Sequence, residues 1–477
     1  MNDNNNSARH ILEAAHRAWV RLAPVRTRRR RYVRYTYGDQ WSDPATDSEG
    51  NPTTEGALAT VGGRRPLTNN LIRRLVKTVV GRYRSLCEEE QSSSAEHESR
   101  QEWRTMNDID ELDPRTLEEF LISGIAVHHV SRERRQGGAG IWVDAVPPDS
   151  FFINAVRDPR CNDMELVGRL TDMSIGELVM RFAGGDRSRA FELRKLYGGL
   201  QCAASVFPSD TLCNLSDGEG SFFHASDGRC RVIEVWTLEC RERWRCHDPL
   251  SATFRLAGKR EREITERINR RRRKEGLPAI ETRWEMCSAW HCRMLAPDGT
   301  VLDEYDSPLQ GGMPPFAVKL YPLIDGDVHS LVEDVLDQQR YVNTLITMMD
   351  RMMGTAAKGV LLFPIGCKPD NISWKDVASR WADPGGIVPY KSTGGVEPHQ
   401  VVTPVGDIGA RDMLQTQISL FEDVSGVSNA LMGKTAGAGV GVERFESEVR
   451  NATVAVLDLL RTFRHFVKMR DRLAASL

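Results

Sequence analysis

The clearest pattern in the chain lies between Gly326 and Gly354. No proline interrupts it, and Leu331, Val335, Gln338, Val342, Leu345, Met349 and Met352 follow one another at spacings of four and three. That stripe predicts a helix over Asp327–Met353, about 40 Å long at about 1.5 Å per residue, with a heptad-like seam. Its acids gather early (Asp327, Glu333, Asp334, Asp337) and its bases late (Arg340, Arg351), as the helix dipole favours. The same period predicts a helix carrying Leu71, Ile72, Leu75, Val76, Val79 and Val80, with Thr68 or Asn69 as its cap. Further helices are expected over 171–185 (Thr171 or Ser174 capping), Ser373–Trp381 and Ile408–Val424. A last one carries Phe445, Val449, Ala452, Val456, Leu459, Phe463 and Phe466 on one stripe. Lys259–Lys274 is charged on nearly every side, with only Ile264 and Ile268 as an apolar line. Glu263–Arg267 and Glu266–Arg270 sit four apart and support a helix. A helix polar all round is solvated or packed in an assembly.

Alternating or short apolar runs predict strands at Trp142–Val146, stopped by Pro147-Pro148, and at Arg231–Glu239, Gly359–Phe363, Gly386–Tyr390 and Gln400–Thr403. Leu117–Val130 carries an apolar stripe that begins as a helix. Residues 200–230 read as loop, and the acidic, Ser-rich Glu88–Glu98 as a solvated linker. Residues 1–65 read as an arm. An amphipathic stretch, Ile11–Leu22, meets a basic cluster (Arg26, Arg28, Arg29, Arg30, Arg31, Arg34), and a turn-rich segment, Ser42–Gly63, follows. The mixture is α+β, without an internal repeat.

A chain of 477 residues, 40% of them hydrophobic, can bury a large core and suggests roughly two to four domains. Its 64 Lys and Arg nearly balance 66 Asp and Glu, and the net charge of −2 excludes a protein that coats nucleic acid by bulk positive charge. DNA contact, if made, is local or weak. Met1–His10 is polar and is not a signal peptide. No apolar run is long enough to cross a bilayer. Ten scattered cysteines fit reduced thiols of the cytosol better than a disulfide framework.

Candidate chemistry is sparse. Gly433-Lys434-Thr435 lacks the glycine five residues earlier that a phosphate loop requires, since position 428 is Ser; a flexible loop is the better reading. Cys240, Cys246, His247, Cys287, His291 and Cys292 can be drawn as a zinc site, but their spacings are wider than the usual close pairs, and buried cysteines commonly serve as small apolar fillers. His128 and His129 are adjacent, so on a strand they face opposite sides. Asp325, Asp327, Glu333 and Asp334 are explained by a dipole-matched helix start without a metal. No acid–base–nucleophile set stands out, and no cofactor is expected. Tyr32, Tyr35 and Tyr37 interleave with the first basic cluster, which suits either phosphate contact or a solvated arm. The run Arg270, Arg271, Arg272, Arg273 and Lys274 has the same two readings.

The order of these segments resembles the portal proteins of tailed bacteriophages, of the short-tailed-phage type. The stretch from Phe316 to Asn343 carries the resemblance: an aromatic-Pro strand (Tyr321-Pro322), a Gly326-Asp327 turn, and a helix with a Gln…Asn pair, here Gln338 or Gln339 with Asn343. Lys358-Gly359 before a hydrophobic strand, Phe421–Gly433, Asn70–Gly81 and Asp158–Phe182 add to it.

That resemblance implies a portal fold with long stem helices, an α/β wing and a small α/β clip. On this chain it implies an N-terminal basic arm (1–65), wing (66–253), first stem helix (254–275), clip (276–325), second stem helix (326–354), wing return (355–429), a tunnel loop (430–441) and a C-terminal wing or short crown helix (442–477). It implies no enzyme. The expected assembly is a ring of twelve copies at one capsid vertex of the virion, put together in host cytoplasm, through which double-stranded DNA is packaged and ejected. Expected partners are the large terminase, the major capsid protein and a tail-adaptor or head-completion protein, with no membrane. Asp327, Glu333, Asp334 and Asp337 are expected to line the channel and repel the duplex, with Lys434 making brief phosphate contacts. Leu331, Val335, Gln338, Val342, Leu345, Met349 and Met352 are the expected stem contacts, and Arg28–Arg31 and Arg270–Arg273 the expected basic ones. The competing readings are a DNA-packaging nuclease or ATPase and a zinc-stabilised nucleic-acid-binding protein.

Overall fold

The structure is a computed structural model. It describes residues 2–60, 64–93, 101–135, 138–204, 221–225, 228–309, 312–356, 360–382, 386–392, 395, 397–401, 409–427 and 442–477. The chain divides into two compact units, one built from 1–32, 79–331 and 457–477, the other from 33–78 and 332–456. The described residues mix helix and sheet, an α+β composition.

In chain order the helices are α1 (Asn2–Arg21), α2 (Ala23–Tyr37), α3 (Glu55–Ala59), α4 (Leu71–Ser93), α5 (Gln101–Met106), α6 (Ile109–Ser123), α7 (Ile175–Phe182), α8 (Arg187–Ala204), α9 (Lys259–Lys274), α10 (Leu331–Ala356), α11 (Trp374–Ala382), α12 (Ala410–Ser425) and α13 (Val442–Ala475). The strands are β1 (Pro44–Thr46), β2 (Pro52–Thr54), β3 (Ile125–Arg135), β4 (Gly138–Ala145), β5 (Phe151–Ile153), β6 (Leu166–Met173), β7 (Cys230–Asp248), β8 (Thr253–Ala257), β9 (Glu281–Leu295), β10 (Val301–Asp306), β11 (Phe316–Leu320), β12 (Leu323–Ile324), β13 (Asp327–Val328), β14 (Val360–Leu362) and β15 (His399–Val401).

The first unit rests on two antiparallel sheets, one ordered β10-β9-β7-β6-β5 with β8 added to β7, the other β11-β3-β4. Strands β7 and β9 pair continuously from Ile233↔Leu295 to His247↔Glu281. Between the sheets lies a core that includes Ile125, Val127, Phe151, Val167, Trp236 and Phe316. Gly168 on β6 sits where a Cβ would collide with the Glu234 carbonyl oxygen and the Phe152 ring, so no larger residue fits. One side of α1 (Ala8, Leu12, Ala15, Ala18, Trp19) closes on Phe152, Ile233, Val235 and Leu295. The far end of α13 returns to this unit, where Phe463 meets Tyr83, Phe120 and Phe466.

Charge is buried in this unit too. Glu234 accepts hydrogen bonds from Arg169 Nε at 2.8 Å and Trp236 Nε1 at 2.8 Å, and lies 3.1 Å from His129 Nε2. Burial opposes its charge, but Arg169 beside it holds the carboxyl well below the usual glutamate range. Burial, with Arg169 adding to it, lowers the His129 imidazole. His128, on the other side of β3, faces Thr116 and Phe466. The expectation that the adjacent histidines pack apart on a strand is met.

Several expected elements differ. Residues 2–37, expected as an arm, are the helices α1 and α2, because α1 has enough apolar surface to join a core. The linker expected at 88–98 is helical through Ser93, as α4 continues, and 94–100 lie outside the described residues. Helix α6 stops at Ser123 because Gly124 takes φ +74, and the rest of Leu117–Val130 is strand. Thr171 lies within β6, and Ser174 alone caps α7, accepting from the Glu177 amide. Residues 386–390 form no strand. Strand β7 runs nine residues past Glu239, to Asp248. The helix expected to open at Asp327 begins at Leu331, because Gly326 (φ +91) and Asp325 (φ +53) turn the short β12–β13 hairpin first.

Candidate channel and assembly residues

In the second unit, α10 turns one face into its own unit: Val332, Val335, Leu336, Gln339, Val342, Asn343, Leu345 and Thr347 are buried. Of the seven residues expected to form a seam, Val335, Val342 and Leu345 are thus used within the chain, and Leu331, Gln338, Met349 and Met352 are half-buried. To that extent the stripe expected as stem contacts serves the core of its own unit. The reason is two buried amides inside the apolar face. Gln339 Oε1 accepts from the amides of Leu71 (2.8 Å) and Ile72 (3.2 Å), the first N–H groups of α4, of which that of Leu71 also donates to the Asn69 carbonyl at 3.0 Å. Gln339 Nε2 donates to the Asn69 carbonyl at 2.7 Å and to Asn343 Oδ1 at 3.0 Å. Asn343 Oδ1 also accepts from the Asn69 amide, at 3.0 Å, and Asn343 Nδ2 donates to Gln40 Oε1 at 2.6 Å. Gln40 Nε2 donates in turn to the Tyr35 carbonyl, at 2.7 Å. Thr347 Oγ1 accepts from the Leu67 amide at 3.0 Å and donates to the Asn343 carbonyl at 2.8 Å. Every amide atom of Gln339 and Asn343 is satisfied, so α10 clamps the start of α4. The Gln…Asn pair is therefore Gln339–Asn343. Of its partners, Gln40 and Thr347 were missed by sequence reasoning, and Asn69 was marked there only as a possible helix cap.

On the opposite side of α10, Asp334, Asp337, Tyr341, Thr344 and Met348 are exposed, and Glu333 is half-buried. Asp327 is exposed on β13, so it does not share the helix with the other three acids. Lys434 and the whole loop 430–441 lie outside the described residues.

The basic residues split into two kinds. Arg28 donates to the Val328 carbonyl at 3.2 Å. Arg29 makes ion pairs with Glu119 (2.6 Å) and Asp149 (2.8 Å), and Arg30 lies 3.6 Å from Asp149. Arg31 is half-buried. This run holds α2 to its own unit, which neither of the two readings, phosphate contact or a solvated arm, foresaw. The run on α9 behaves otherwise: Arg272 pairs with Asp248 at 2.7 Å and Arg271 with Glu275 at 2.9 Å, while Arg270 and Arg273 are exposed without an ion pair among the described residues. The expected pairs Glu263–Arg267 and Glu266–Arg270 are not formed; Glu266 takes Arg262 at 3.0 Å. The region 254–275, expected as one helix, is β8 followed by α9.

The cysteine and histidine constellation is not brought together. Cys240 stands opposite Ser288, Cys246 opposite Thr282 and Cys292 opposite Trp236. At about 3.3 Å per residue, those three thiols on one sheet face are more than about 10 Å apart, and Cys287 points to the other face. Among the described residues, no group of three or more metal-ligating side chains gathers, and no helix is long and apolar enough to cross a membrane.

Comparison with known proteins fits this arrangement. The family model described as phage P22-like portal protein matches residues 103–468, most of the chain. The chain belongs to the P22-like phage portal family. No curated protein matches it. Portal proteins are structural, non-enzymatic components of the phage capsid, at the junction of head and tail. The match covers α10 with its Gln339–Asn343 clamp, α9, and the long β7–β9 pair.

Proposed function

We propose that copies of this chain close into a ring of twelve at one capsid vertex, and that the ring is the conduit for genome packaging and ejection. The family match over 103–468 carries this reading. The exposed side of α10 suits it, because Asp334 and Asp337 there would repel phosphates and let a duplex slide instead of grip. Residues 254–275 and 326–354 are proposed as stem, 276–325 as clip and docking face for the large terminase and later the tail adaptor. The remainder of 66–429 is proposed as wing, meeting the major capsid protein. Lys434 is proposed as a transient phosphate contact. Assembly is placed in the host cytoplasm. Negative-stain microscopy of the purified protein tests the reading: rings with a central hole are expected. A monomer that hydrolyses ATP or cuts DNA would overturn it in favour of a packaging enzyme.

A further inference from the structure

We infer that the outward face of α9 is a polyanion-holding surface that takes the phosphate backbone of nucleic acid, a site separate from a sliding channel wall. Lys259–Lys274 holds nine basic and three acidic residues, a net of +6. The inward side of the helix is fixed. Thr265 is fully buried, Asn269 exchanges hydrogen bonds with the Ile280 backbone (2.7 and 2.8 Å), Arg272 pairs with Asp248, and Arg262 lies over the Trp244 ring at 4.9 Å. That anchoring sets what faces out. Positions 260, 263, 267, 270, 271 and 274 form one exposed stripe, about 21 Å long at about 1.5 Å per residue. Arg260, Arg267, Arg270 and Lys274 on that stripe have no ion pair among the described residues; the single acid on it is Glu263.

Two comparisons within the molecule give this its meaning. The other arginine run, on α2, spends Arg28, Arg29 and Arg30 on its own unit, so an arginine run in this chain is not by default idle. And the exposed side of α10 opens with acids, the sign a passing duplex needs, whereas α9 has the sign that grips. The occupant is set by what the stripe lacks. A protein–protein contact is built round an apolar centre, yet all six outward positions are charged, and Ile264 and Ile268 lie to one side of them. A ligand that offers only charge at its surface fits, and guanidinium groups match phosphate oxygens in pairs. This surface stands independently of the ring, although it is compatible with one.

The test uses the full-length assembled protein and a 30-base-pair duplex of arbitrary sequence. Binding is followed by fluorescence anisotropy across a salt series, for the parent and for Arg260→Gln/Arg267→Gln/Arg270→Gln/Lys274→Gln. These side chains make no ion pair among the described residues, so rings should still form by negative-stain microscopy. The logarithmic salt dependence is expected to become shallower by about 0.9 for each phosphate no longer neutralised, up to roughly 3–4 for four residues. Affinity at low salt should fall at least about tenfold. A control, Arg187→Gln/Arg194→Gln/Lys195→Gln on the exposed side of α8, should leave the slope near the parent's. An unchanged slope in the α9 variant, an equal loss in the control, or tighter binding of polyglutamate than of duplex by the parent would each overturn the inference. Rings that form normally with any of those results would leave the conduit reading standing.

Discussion

Replacing Gln339 by Leu tests whether the clamp between α10 and α4 is a main support of its unit. The side chain is fully buried, and leucine fills nearly the same volume, so packing changes little. What is lost is a set of hydrogen bonds with unequal consequences. The Leu71 amide keeps a second acceptor, the Asn69 carbonyl at 3.0 Å. The Ile72 amide loses its acceptor inside the protein, and Asn343 Oδ1 loses one of two donors. A buried donor left unsatisfied costs about 1–3 kcal/mol, and each further broken hydrogen bond about 1 kcal/mol. The expected loss is about 3 kcal/mol, on the order of 6–12 °C in the midpoint of a unit of this size. Differential scanning calorimetry of the purified variant reads it directly. Asn343→Leu alone should cost a similar amount, and the double variant clearly less than the two together, since each has already broken the bond they share. A drop below about 0.5 kcal/mol for Gln339→Leu, the level of an ordinary surface change, would show that the clamp contributes nothing. Strict additivity would show that the two amides do not act as a network.

Arg470 is fully buried against Asp113 and lies 2.8 Å from Asp471; Arg470→Met strands the Asp113 carboxylate and should cost about 3–5 kcal/mol in denaturant unfolding, with Asp113→Leu added to it recovering much of the loss. Burial opposes the charge of Asp144, but Arg135 and Arg169 together hold its carboxyl down to about 2, below the roughly 3.9 of an unfolded aspartate. Its contribution to stability is therefore complete above about pH 4 and is lost as pH falls through about 2; Asp144→Asn should flatten that acid limb in circular dichroism melts, and an unaltered limb would refute the assignment. Phe463→Ala removes a ring lodged among Tyr83, Phe120 and Phe466 and should cost about 3–5 kcal/mol in the same unfolding measurement. Gly168→Ala places a methyl group against the Glu234 carbonyl and should yield little folded protein; a soluble variant with a parent-like melt would show that the strands can part there.

How much of this could be read from the sequence depends on how local each cause is. The charged helix α9 was legible over Lys259–Lys274, because glycines flank it at positions 258 and 276 and its charges leave no other regular structure open, but its extension back to residue 254 was not, since β8 ends at Ala257. The reach of β7 was not, because beyond Glu239 one face is all charged or His (Arg241, Arg243, Arg245, His247) and the other buries only Trp244 and Cys246, against Ala257 and Ile280. Its order there comes from cross-strand pairs such as Arg245 with Glu285 and from Arg241 and Arg243 on Asp306. Helix α10 was legible as a helix, but the partners of its stripe were not. The buried amides that set them bond to the backbone of residues 69–72, some 270 positions away. The Arg28–Arg31 run was legible as charge and not as structure for the same reason: Glu119 and Asp149 are about 100 residues downstream. Lys434 and its loop lie beyond comparison.

The aromatic knot at Phe463 has a consequence for how the protein comes into being. Tyr83 and Phe120 emerge early from the ribosome, but the rings that cover them belong to the last helix. At about 5–20 residues per second, the gap is on the order of tens of seconds. Throughout that interval the nascent chain carries an uncovered greasy patch. That patch closes only once Phe463 has been made, so a chaperone that shields such surfaces would raise the yield.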